Sequence, residues 1–402
     1  MTNTAKANLN NADRNESTRN PDRCMKVIWF SEIKWNFLTH RHHHLIGHFP
    51  ADWDILFIEN FALGKKSHFI PRREGRVTYV TLPIFKGTEY PLINALQCNG
   101  FFRGLINFKL LLWTKLILRI TGFASSDRIV FTSNIFFADI LKKLKKKLLI
   151  YDCNDYPMGF SGALQITEMY FKRTIEQADV AIAVSDKLLE DIGRFKKENG
   201  HVVGNGVDYE LFARNQKREE PADLKTITKP IVFYAGVVSD WFDFDLVGKI
   251  AMEPVSVVIV GPVISPNVKA DVERLSALPN VHFLGMKKHD ELPAYIRSSH
   301  ICMIPFKKIP LIERFSPNKM YEYLAAGRSV VTMDYTEEIR RLRSRIYVAA
   351  SSDEFVGLIR KSIGDKPGEA ALREIAFKNS WQSRSEEVVR LVQSRLAEKY
   401  PS

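Results

Sequence analysis

From Met25 onward, short apolar runs of strand length alternate with longer stretches of helical pattern, and this alternation constrains the fold more than any other feature. Each strand-to-strand crossover through a helix returns the chain to the same end of a sheet, which predicts parallel sheets covered on both faces. In the first half the predicted strands are 26–30, 55–59, 77–82, 128–132, 148–151 and 180–184. The second half repeats the rhythm at 231–235, 255–260, 281–284, 301–305, 330–333 and 346–349. A chain of 402 residues exceeds one ordinary core, so two doubly wound α/β domains are expected.

A polar stretch without periodicity, RNQKREEPADLKTITK at 214–229, reads as the joint between them. The expected organisation is a tail at 1–24, a first domain at 25–213, the linker at 214–229, a second domain at 230–380 and a final helix within 381–402. The tail is rich in Asn, Thr, Asp and Arg and lacks an apolar run, which predicts disorder and argues against a signal peptide. The final helix is expected to start near Ser383 with a Ser383–Glu386 capping box and to bury Val388, Val389, Val392 and Leu396.

Composition matters here mainly for charge. Hydrophobic residues at 45% and charged residues at 26% exclude a disordered chain, a collagen and a multi-span membrane protein. The formal charge of +12 points to an anionic partner. It is unevenly spread, because residues 101–150 hold ten bases against Asp127 and Asp139, eight of the net twelve charges. Four scattered cysteines fit a reducing compartment and give no zinc spacing.

No GxGxxG, GxxxxGK[ST], HExxH or GxSxG is present. His40, His42, His43, His44 and His48 fall on one short helix, where a solvated or ligand-facing basic surface is favoured over a metal site. In FSPNKMYEYLAAGRSVV (315–331), Ser316 is expected to cap a helix with Pro317 at its first position. The amides of Asn318 and Lys319 would then suit a phosphate, and Lys319 and Glu322 share a face. An i, i+3 surface salt bridge is the alternative. In LLIYDCNDYPMGFSG (148–162) a strand ends and releases Asp152 and Asp155, either as a general base or as ordinary turn residues. Asp243 and Asp245 open a helix and are expected to be structural.

Taken together, YDCNDY, ADVAIAVS and NGVD in the first half with YAGVVSDWFDFDL, NVHFLGMKKHDELPAYI and SPNKMYEYLAAGRSVVT in the second resemble the group 1 (family 4-like) glycosyltransferases of bacterial cell-surface polysaccharide assembly. The resemblance implies the GT-B fold: two Rossmann-like domains facing a cleft, with the last helix crossing back. It implies donor contacts from Glu322 to the ribose, from Lys319 to the diphosphate, from Gly236 in the turn facing that diphosphate, and from Gly285 and Met286 beside the base. Similarity to xanthan glucuronosyltransferase makes Asp155 the implied catalytic base. The pattern departs from the family where a first motif glutamate would stand: Arg314 is there, with Glu313 beside it. FSEIKWNF also replaces the glycine-rich loop after the first strand. These departures lean toward inversion.

On the acceptor or membrane side the expected residues are Arg41, Lys109, Lys115 and Arg119. The segment 104–123 is as long as a membrane span but carries three bases, so it is expected to lie in a bilayer interface and not across it. Packing within the first domain is the alternative. The expectation is a metal-independent transferase at the cytoplasmic face of the membrane. A nucleotide sugar, UDP-linked before GDP-linked, would be the co-substrate, with no cofactor. A lipid-linked or glycan acceptor and an anionic membrane surface would be the partners, and no nucleic acid. The rival readings are a non-catalytic basic membrane- or nucleic-acid-binding protein, and a sugar-nucleotide epimerase of the same fold.

Overall fold

The computed structural model describes residues 24–36, 39–62, 64–85, 91–159, 166–214, 219–365 and 368–401. The expected tail therefore lies almost wholly outside the described residues, as do the tip of the Asp155 loop and part of the 214–229 stretch. The chain divides into two compact units, 1–204 with 384–402, and 205–383.

The first unit is built on an eight-stranded sheet in the order β3-β4-β2-β1-β5-β6-β7-β8. Its strands are β1 Met25–Ser31, β2 Trp53–Phe61, β3 Arg72–Glu74, β4 Val77–Phe85, β5 Arg128–Thr132, β6 Leu148–Cys153, β7 Val180–Ala183 and β8 Gly200–Val202. All neighbours pair in parallel except β3 with β4. Every residue of β5, β6 and β7 is buried, as expected when helices cover both faces of a parallel sheet. β1 sits where the strand order reverses direction, β2 to one side and β5 to the other, so the crevice at the carboxyl ends of β1 and β5 is the unit's switch point.

The second unit has a six-stranded, all-parallel sheet in the order β11-β10-β9-β12-β13-β14. These strands are β9 Ile231–Ala235, β10 Ser256–Val260, β11 Val281–Phe283, β12 Ile301–Ile304, β13 Val330–Met333 and β14 Tyr347–Ala349. Its switch point lies between β9 and β12. Side-chain caps fix the helix starts: Asp243 accepts from the Leu246 amide and Ser351 from the Glu354 amide. Asp243 is thus a cap, and Asp245 pairs with Arg274 at 3.0 Å on the surface.

Three local expectations need correction. The stretch 214–229, expected to be the joint, lies within the second unit, which starts at Asn205 and buries Leu224 and Ile227 in its core. The final helix begins earlier, at Trp381, with the Ser383 amide donating to Ser380 Oγ at 3.2 Å, so Ser383 is inside the first turn. From Arg384 this helix belongs to the first unit, where Val388 and Val392 are fully buried, Ser385 Oγ donates to the Leu45 carbonyl and Lys399 meets Asp179 at 2.8 Å. The histidine helix, Arg41–Gly47, is no solvated surface: His42 and His43 are each 1% exposed. They are held among Trp29, Trp35 and Phe57. Burial drives the His42 ring well below its ordinary proton affinity, so these rings act as neutral core groups.

Candidate donor and acceptor sites

In the second unit three glycines follow three adjacent strands. Gly236 (φ 150°) ends β9, Gly261 (φ 144°) ends β10 and Gly285 (φ 67°) follows β11. The Gly236 amide donates to the Val260 carbonyl and the Gly261 amide to the Gly285 carbonyl, each at 2.8 Å. A Cβ on Gly261 would strike the Gly236 carbonyl, and one on Gly236 would strike the Lys319 side chain. The glycines are therefore required by close approach of backbone to backbone and of backbone to lysine.

Lys319 comes from the Asn318–Ala325 helix. Its ammonium sits 6.0 Å from the Tyr234 ring centroid and 5.9 Å from that of Phe306. Burial lowers its proton affinity, and the charge of Glu322 only partly opposes this. Among the described residues no carboxylate lies within ion-pair distance of it. An ammonium placed in this way, against Gly236 near a sheet's switch point, has the chemistry to take an anion. Glu322, one helical turn on, is half-buried and stands 3.7 Å from His289 Nε2. Burial works against the charged ring of His289, but Glu322, Asp208 and Asp290 outweigh it and raise its proton affinity.

Ser316 does not cap that helix. Pro317 occupies the cap position, while Ser316 Oγ accepts from the Asn205 amide at 2.8 Å and donates to Glu338 at 2.9 Å. The Asn318 amide turns back to the Ser316 carbonyl at 3.1 Å. Glu338, which also accepts from the Tyr321 hydroxyl at 2.7 Å, anchors this loop and was not singled out from sequence. Met286 is 70% exposed next to Gly285. Lys319 thus meets Gly236 at the carboxyl end of β9, with Glu322 one helical turn on and Gly285 bonded to Gly261 beside them.

In the first unit Asp152 and Asp155 separate by environment. Asp152 is buried and accepts from Arg41 Nε at 3.1 Å on both oxygens, while Arg41 Nη1 donates to the Gly204 carbonyl at 2.7 Å. Burial raises the Asp152 proton affinity and Arg41 opposes it. Arg41, expected on an acceptor or membrane surface, is only 6% exposed and is a core ion-pair partner. Asp155 is exposed in the loop after β6, with Cys153 Sγ 3.4 Å from its carbonyl. Beside it, Glu32 accepts from Ser133 Oγ at 2.6 Å and from Asn154 Nδ2 at 3.0 Å. This ties the ends of β1, β5 and β6 together at the switch point. Sequence reading passed over Glu32, although it stands where a glycine-rich loop was expected. Among the described residues no group of three or more His, Cys, Asp and Glu is arranged to hold a metal.

Residues 237–365 match the family model described as glycosyl transferases group 1. Over that span, about a third of its length, the chain is similar to the group 1 glycosyl transferases. The chain is also similar to the putative teichuronic acid biosynthesis glycosyltransferase TuaH of Bacillus subtilis, 26% identical over 253 residues. That match spans 58% of the present chain and 64% of the relative's length. Among solved structures it resembles the E. coli trehalose-6-phosphate structure bound with UDP-2-fluoro glucose (TM-score 0.69, 12% identity, 92% of this chain and 99% of that one). It also resembles sucrose-phosphate synthase from Thermosynechococcus elongatus (TM-score 0.68, 14% identity, 93% and 100%). A third is Anabaena HepE in complex with UDP (TM-score 0.64, 15% identity, 92% and 100%). The two Rossmann-like sheets of the chain are those of the GT-B fold. Lys319 and Glu322 lie inside the family match, whereas Asp155 and Arg41 lie outside it.

Proposed function

We propose that the protein transfers a sugar from a nucleoside diphosphate sugar, UDP-linked before GDP-linked, to a hydroxyl of a lipid-linked or glycan acceptor in cell-surface polysaccharide assembly. The observation that carries this reading is the Lys319 ammonium, set over Gly236 without a carboxylate partner at ion-pair distance. A diphosphate would supply the missing anion. Glu322 would accept from the ribose hydroxyls, and the exposed Met286 would border the base. UDP in the Anabaena and E. coli relatives supports the choice of nucleotide, and the role named for TuaH supports the assembly context.

In this reading the acceptor hydroxyl gives its proton to the Asp155 carboxylate as its oxygen bonds to the anomeric carbon. The bond from that carbon to the diphosphate breaks, and its electron pair leaves with the diphosphate. Lys319 stabilises the charge that develops there. The acceptor would be met at the inner face of the cell membrane. The test is transfer of labelled sugar from UDP-sugars to membrane-extracted acceptors. Asp155→Asn should lower the rate by roughly a hundredfold to ten-thousandfold, the contribution typical of a general base, with nucleotide affinity unchanged. A full rate in this variant would remove Asp155 from the role. Donor conversion without any acceptor would identify an epimerase instead.

A further inference from the structure

The Gly100–Ile120 helix is unusual in what it leaves uncovered. Leu110, Leu111, Thr114, Ile117 and Leu118 on one side are buried in the first unit. On the other side Phe101, Leu105, Phe108, Leu112, Leu116 and Ile120 recur every three or four residues and are all exposed, Phe101 by 77% and Ile120 by 62%. Trp113 flanks this row at 41%. At such spacing these side chains share one face. A continuous apolar row of this kind marks a contact surface.

Charge decides what the contact is. Lys109, Lys115 and Arg119 are exposed within the same face. The helix contains no Asp or Glu. Asp139, which accepts from Asn107 Nδ2 of this helix at 2.8 Å, is paired with Arg173 at 2.8 Å. Among the described residues the three bases have no ion-pair partner. A second copy of this face would set the same bases against each other across a two-fold contact. A bare polyanion would leave the apolar row in water. An anionic bilayer satisfies both halves, with acyl chains for the row and headgroups for the bases. No described helix is long and apolar enough to cross a membrane.

We infer that the 100–120 helix is a membrane-docking element, lying in the plane of an anionic lipid surface with its apolar row inserted at the headgroup boundary. The inference deepens the proposed membrane-side acceptor reading but rests on this face alone, and its test does not use transfer.

The full chain should float with phosphatidylcholine vesicles containing phosphatidylglycerol, and bind those of phosphatidylcholine alone far less. Leu112→Glu/Leu116→Glu should weaken binding at least about tenfold, since it removes two buried anchors and adds like charge. Lys109→Gln/Lys115→Gln/Arg119→Gln should abolish the preference for anionic vesicles and its loss at about 0.5 M salt. Each altered side chain is exposed, so unchanged thermal unfolding will show that both variants fold. Brominated lipids should quench wild-type fluorescence more than that of Trp113→Phe. Absence of binding to anionic vesicles, equal binding by the Glu variant, or a dimer that the Glu variant splits would each overturn the inference. Failure of sugar transfer with vesicle binding intact would count against the proposed activity and leave the docking element standing.

Discussion

Replacing Lys319 by Met tests the donor site with little change of shape. In the unliganded protein this ammonium is desolvated and only partly offset by Glu322, so its loss should leave the fold as stable or slightly more stable. Against a diphosphate the balance reverses. A charge-assisted hydrogen bond contributes roughly 1.5–3 kcal/mol, so UDP should bind Lys319→Met roughly ten- to hundredfold more weakly. Uridine, which has no phosphate, should bind both proteins alike. Isothermal titration with the two ligands separates the terms. Equal UDP affinity in variant and wild type would refute the assignment of this lysine to the phosphates, and equal losses for UDP and uridine would refute the argument from charge.

Arg41→Ala strips the partner from buried Asp152 and should cost about 3–5 kcal/mol in denaturant unfolding. A near-neutral result would show that Asp152 finds water or another donor. His289 holds its proton more tightly in the fold than its ordinary value of 6.5. Its stabilising share is therefore complete below that pH and fades as pH rises through the higher folded value. Unfolding temperatures measured across this window should show that decline in wild type and lose it in His289→Gln. An unchanged slope would remove the Glu322 contact as its cause.

The strand pattern was legible almost throughout because parallel strands buried on both faces leave unbroken apolar runs, such as Ile231–Ala235. What escaped were strands whose reason lies elsewhere. Arg72–Glu74 is three charged residues paired antiparallel at a sheet edge, and Gly200–Val202 is too short to show a period. Length and the bases Lys109, Lys115 and Arg119 marked out 104–123, but not the phase of its helix against the core, which decides which apolar residues remain outside. The histidines misled because composition suggests solvent, while Trp29 and Phe57, distant in sequence, enclose them. Ser316 read as a cap because helix-start residues look alike locally. Its real partner, Glu338, lies 22 residues further on.

The central claim, a nucleoside diphosphate sugar held through Lys319 and Glu322, is tested most directly by thermal unfolding with UDP, GDP, ADP and their sugars. Selective binding to the folded state raises the unfolding temperature with ligand concentration. The account predicts a rise with UDP and UDP-sugars, exceeding that with GDP or ADP and lost in Lys319→Met. No rise with any nucleoside diphosphate would contradict it.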